Sequence, residues 1–158
     1  MTEIVLQFSA QHDVGSDLIE WFSQGIYSHV DTVLPDGRLL GARSDMVGGA
    51  PAGVQIRTPD YAPFLRKLIV PLPCEQHRYD RYHAFLTAQL GKPYDSTAIL
   101  AFAFGRDWQE EDSWFCSELV AAALCASVYF LYPLAAPANK ITPDSLLLLC
   151  STQVGIAV

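Results

Sequence analysis

Basic residues are few in this chain. Ten lysines and arginines stand against 17 aspartates and glutamates, for a net charge of −7. That balance argues against a surface built to neutralise nucleic-acid phosphates or to hold an anionic membrane, so no nucleic-acid partner is expected. No apolar run reaches the roughly 20 residues that a membrane-spanning helix requires, so no integral membrane segment is expected either. The first residues, Met1-Thr2-Glu3-Ile4, carry no basic region, long apolar stretch or cleavage site. The expectation is a cytoplasmic chain, in a reducing compartment where a free thiol persists. The four cysteines, Cys74, Cys116, Cys125 and Cys150, match no zinc spacing and form no CxxC. His77 and His83 lie six apart and do not share a helix face. No metal or other cofactor is implied. Internal repeats, low-complexity tracts and linkers are missing too.

Apolar residues make up 51% of the 158 positions and charged residues 17%, enough for one packed domain over residues 1–158. Glu3–Ser9 reads as a strand and Asp13–Gln24 as a short amphipathic helix. Tyr27–Leu34 alternates and is rich in β-branched residues, Pro35-Asp36-Gly37 is a hairpin turn, and Arg38–Ala42 returns as the partner strand. Ser44–Gly53, with three glycines and a proline, is a loop. Gly53–Arg57 and Leu65–Leu72 are further strands. Cys74 follows Pro71-Leu72-Pro73 in a loop. Helices follow at Glu75–Leu90, at Asp95–Phe104, from Cys116 towards Tyr132, and from Thr142-Pro143-Asp144 to Cys150. Strands in the first half and helices in the second predict an α+β fold.

The chemistry centres on Trp114-Phe115-Cys116-Ser117-Glu118-Leu119-Val120. A cysteine in the first helical turn meets unpaired backbone N–H groups and the positive end of the helix dipole, and both favour thiolate. Asp112 or Ser113 is the expected cap. Taken alone, a cysteine on an apolar helix is a packing residue, as Cys125 and Cys150 are expected to be. A histidine that takes the thiol proton changes that, and His29, on the Tyr27–Leu34 strand, is the candidate. Glu118 fits helix-dipole stabilisation or a salt bridge better than chemistry.

Tyr27-Ser28-His29-Val30, the Pro-Asp-Gly hairpin, Gly91-Lys92-Pro93-Tyr94-Asp95 and the Phe-Cys-Ser-Glu-Leu-Val helix resemble the circularly permuted papain-like amidases. These YiiX-like proteins are relatives of the NlpC-type cell-wall peptidases and share their histidine-before-cysteine order with the lecithin:retinol acyltransferase group. The likeness runs from about Asp17 to Asp144. It implies a permuted papain-like (NlpC-like) fold, an antiparallel sheet packed against helices, with Cys116 as nucleophile and His29 as base. Tyr94 would add its hydroxyl to the oxyanion site. The family's third polar residue, which orients the histidine, lies about a dozen positions after it. Here that position is Gly41, which cannot orient anything. Asp31, on the same strand face as His29, is the substitute; Ser44, Asp45 and a bound water are alternatives.

The expected activity is therefore a cysteine hydrolase cleaving an amide in a peptide-like substrate, a cell-wall peptide by analogy. Two alternatives stand beside it. One is a lipid acyltransferase or thioesterase using the same pair, which needs an apolar groove beside Cys116 lined by Ala101–Phe104 or Tyr129–Tyr132. The other is an inactive binding module of the same fold. Neither the substrate nor the oligomeric state is legible in the sequence.

Overall fold

The computed structural model describes residues 2–11, 25–95 and 113–154. His12, Asp112, the helix expected over Asp13–Gln24 and nearly all of the run expected over Asp95–Phe104 lie outside these residues. The described strands are β1 (Thr2–Ala10), β2 (His29–Val33), β3 (Leu39–Arg43), β4 (Gly53–Arg57) and β5 (Arg66–Cys74). The described helices are α1 (Gln76–Ala88), α2 (Cys116–Ala126) and α3 (Pro143–Val154). The strands form one antiparallel sheet in the order β4-β3-β2-β1-β5. The architecture is α+β. Among the described residues no helix is long and apolar enough to cross a membrane.

Alternation along the strands gives the sheet two different faces. Ile4, Leu6 and Phe8 of β1, Val30 of β2 and Leu40 and Ala42 of β3 are buried on one of them. There they pack with Tyr82 and Leu86 of α1 and with Leu119, Val120 and Leu124 of α2. Each Val, Leu, Ile or Phe side chain among them contributes roughly 1.5–3 kcal/mol by leaving water. The intervening residues form the other face. Register sets Ser9 beside His29 and Gln7 beside Asp31, with Gly41 and Arg43 next along. A smaller cluster of Leu39, Tyr61 and Ala62, joined by Val33, Val47 and Phe64, covers part of that face.

Several elements differ from the sequence expectation. Cys74 is not in a loop: it ends β5 and is buried. Pro71 and Pro73 lie within that strand because β5 is the sheet edge, where a missing N–H breaks no ladder on the open side. Helix α2 stops at Ala126 rather than near Tyr132. There the Ser127 hydroxyl donates to the Leu124 carbonyl at 2.8 Å, Val128 turns to φ 56°, and Arg78 of α1 donates to the carbonyls of Val128 and Tyr129. Cys125, expected to be buried, is exposed near that end, whereas Cys150 is buried. Strand β2 is shorter than Tyr27–Leu34, and the hairpin after it closes with Gly37 at φ 83°.

Candidate active site

Cys116 is the first residue of α2, and the sequence around it fixes its surroundings. The cap is not Ser113. Phe115 is the N-cap and brings no side-chain acceptor. Instead the Glu118 carboxylate reaches back and accepts the Phe115 N–H at 3.2 Å, one half of a capping box. Burial pushes the Glu118 carboxyl up to about 7, against the pull of the Phe115 N–H and with help from nearby Asp95.

Backbone pairing brings Tyr94 alongside. Trp114 N–H donates to the Pro93 carbonyl at 3.0 Å and Asp95 N–H to the Trp114 carbonyl at 3.1 Å. The same segment is tied to β4, since Val54 N–H donates to Lys92 at 2.9 Å and Gly91 N–H to Val54 at 2.9 Å. Gly53 permits this approach: it sits at φ 105°, and a Cβ there would lie 2.3 Å from the Lys92 carbonyl oxygen. The half-buried Tyr94 ring comes 5.9 Å from that of Phe115. Burial, and then the neighbouring Cys116, push its phenol well above the ordinary range, so it remains a proton donor.

His29 opens β2. The Cys116 sulfur lies 4.0 Å from the carbonyl oxygen of Ser28, the residue before it. His29 Nε2 meets Asp31 Oδ1 at 2.9 Å. Burial by itself lowers the imidazole pKa, but Asp31 and then Cys116, by charge and by side-chain hydrogen bonding, outweigh it and raise it to about 9. With Nε2 taken by the carboxylate, Nδ1 is the nitrogen left for the sulfur. Asp31 is buried, which opposes its charge, yet His29, the Tyr61 hydroxyl and Arg43 hold it below the usual carboxylate range.

Gly41 explains how Asp31 fits. A Cβ at 41 would lie 1.9 Å from Asp31 Oδ1. The carboxylate therefore occupies the space a side chain at 41 would take. Of the other candidates to orient His29, Ser44 is exposed and Asp45 is engaged by Arg43, at 2.7 and 2.9 Å.

The structure thus gathers His29, Asp31, Cys116 and Tyr94 in one place, and adds residues that the sequence reading missed. Tyr61 donates to Asp31 Oδ2 at 2.8 Å. Arg43 and Arg57, both buried, stack against the Tyr61 ring with their guanidinium carbons 5.2 and 5.7 Å from its centre. Once the strands are drawn, parity puts Arg43 and Arg57 on the Asp31 face; nothing in Pro59-Asp60-Tyr61 marks the tyrosine.

Elsewhere, a cavity of about 670 Å³ opens between residues 130–136 and α3. Phe130, Leu131, Tyr132 and Leu148 help line it, and neither Cys116 nor His29 does. Ala101–Phe104, the other stretch expected to line an apolar groove, lies outside the described residues. His77 is exposed beside Glu75, and His83 packs on Tyr79. Among the described residues no group of three or more His, Cys, Asp or Glu is placed to hold a metal ion. No protein-family model matches the chain, and no curated protein matches it.

Proposed function

We propose that this chain is a cysteine hydrolase of the permuted papain-like kind that cleaves an amide bond in a peptide-like substrate. The observation that carries the reading is the ordered series Asp31–His29–Cys116, assembled from the strand β2 and the start of α2, which are 87 positions apart at their reacting residues, 29 and 116. A packing cysteine has no need of a buried, charge-paired imidazole beside it: the Cys116 sulfur lies 4.0 Å from the carbonyl oxygen of Ser28, the residue before His29, and His29 Nε2 meets Asp31 Oδ1 at 2.9 Å.

In this mechanism the Cys116 proton rests on His29 Nδ1 before the substrate enters, in keeping with the raised imidazole, and the Asp31 carboxylate stabilises the imidazolium. The thiolate adds to the amide carbonyl carbon, forming a C–S bond. The oxyanion faces the unpaired N–H groups of the α2 first turn and the Tyr94 hydroxyl. The C–N bond then breaks, with the proton passing from His29 to the leaving amine. Water, deprotonated by the same imidazole, hydrolyses the thioester and restores the thiol.

A second reading, an inactive binding module, draws on the burial of the sulfur: Cys116 is 1% exposed and His29 6%. An electrophilic thiol probe separates the two. An enzyme alkylates quickly near neutral pH, loses labelling in Cys116→Ala and slows at least ten-fold in His29→Ala. Labelling of wild type no faster than a free thiol overturns the hydrolase. Peptide-amide turnover by the wild type, absent in Cys116→Ala, then fixes the reaction class.

A further inference from the structure

We propose that Tyr61 is a positioning residue for the Cys116–His29 pair: its hydroxyl anchors Oδ2 of Asp31, so that Oδ1 stays on His29 Nε2. The proposal rests on the hydrolase reading for its purpose, but its geometry stands apart from it. An aspartate side chain turns about two torsions, and one hydrogen bond to an imidazole does not fix both. Here the second oxygen is fixed as well, by the Tyr61 hydroxyl at 2.8 Å.

The neighbours of Asp31 show why an anchor matters. Arg43 from β3 and Arg57 from β4 both interact electrostatically with its carboxylate. A guanidinium N–H is a charged donor that competes with imidazole for a carboxylate; Arg57 Nη1 and Nη2 already donate to the carbonyls of Gly41 and Pro51. Arg57 Nε is buried without a hydrogen-bond partner among the described residues, so a released carboxylate has a donor to move towards. Tyr61 prevents this in two ways. Its ring lies against both guanidinium groups, and its hydroxyl accepts from Arg43 Nη1 at 3.4 Å while donating to Asp31. Asp45, which takes Arg43 Nε and Nη2, occupies the rest of that guanidinium.

Tyr61 is itself fixed. Phe64 packs edge-on at 5.1 Å. Gly48, at φ 63°, comes so near that a Cβ there would lie 2.4 Å from the Tyr61 Cβ. The loop after β3 and the turn before β5 therefore act on the imidazole through one phenol. The groups bearing on His29 are then Asp31 from its own strand, Cys116 from α2, and, through Asp31, Tyr61, Arg43 and Arg57.

The test uses the full chain with two readouts, the titration of the His29 imidazole by NMR and the pH profile of Cys116 alkylation by iodoacetamide. Tyr61→Phe keeps the ring and removes the anchor. The expected result is a His29 midpoint moved towards the ordinary value of about 6.5 and alkylation at pH 7 slowed about three- to ten-fold. In an Asp31→Asn background the same change has no further effect. If Tyr61→Phe fails to fold, Tyr61→Gln, which retains a donor, is expected to hold His29 nearer its wild-type midpoint than Tyr61→Leu does. An unchanged His29 titration in Tyr61→Phe, or an equal loss with and without Asp31, overturns the proposal. Slow wild-type alkylation together with a His29 midpoint that still responds to Tyr61→Phe removes the hydrolase reading and leaves the anchor standing.

Discussion

Gly41 and Asp31 share one volume: the oxygen that meets His29 stands 1.9 Å from where a Cβ on residue 41 would be. Strand β3 carries no side chain there, and β2 fills the space with a carboxylate. The resemblance to the permuted papain-like amidases puts a polar residue at 41; in this fold the space there is filled by an aspartate two residues beyond the histidine.

Gly41→Ala is therefore expected to harm the site more than its small size suggests. The new methyl group must displace Asp31 Oδ1, and crowding of this kind in a packed interior costs typically 1–3 kcal/mol. Alkylation of Cys116 at neutral pH should slow about ten-fold as His29 loses its partner. Urea denaturation gives the first quantity and probe kinetics the second; wild-type values for both would show that the carboxylate has room to spare.

Tyr94→Phe divides the two halves of the proposed mechanism. Alkylation by a small electrophile creates no oxyanion, so its rate should stay within about two-fold of wild type. Acyl-substrate turnover, which does create one, should fall about 10²-fold, as with other donors of this type. Parallel assays on one preparation check it.

Stability should peak at intermediate pH. His29 is raised to about 9 in the fold, above its ordinary value of about 6.5. The folded state therefore binds the proton more tightly, and this contribution, on the order of 3 kcal/mol, is complete below about 6.5 and lost as the pH rises to about 9. Asp31 is lowered, so its contribution is present above the ordinary carboxylate value and lost as the pH falls below it. Asp31→Asn should flatten both limbs in urea titrations run across pH.

Glu118 acts with the opposite sign on the acidic side. Its carboxyl rises from an ordinary 4.5 to about 7 in the fold, so the native state holds the proton longer and stability falls as the pH rises through that interval. Glu118→Gln keeps an acceptor for the Phe115 N–H and should remove that slope, with a gain of about 1–2 kcal/mol at pH 8.

The sequence made the α+β layout legible because alternation and helical spacing are local. Ile4, Leu6 and Phe8 mark a core face wherever the strand ends up. It misplaced Cys74 and the end of α2 because those boundaries depend on partners: a neighbouring strand for Pro71 and Pro73, and Arg78 of another helix for the carbonyls after Ala126. Residue type points to Ser113 as a cap, whereas the Phe115 N–H is satisfied from inside the helix by Glu118.

By itself, the sequence determined which reactive groups are present and on what kind of element: a cysteine entering a helix, a histidine on a strand, an aspartate at the same parity and a glycine on the returning strand. Tertiary structure decided that Asp31 rather than Ser44 or Asp45 reaches His29, that Tyr61 holds Asp31, and that two arginines flank the tyrosine. The reason is range. Residue type and periodicity act over a few positions, whereas the bonds from Tyr61 to Asp31 and from Arg43 to Tyr61 span 30 and 18 positions and exist only after strands and loops have packed.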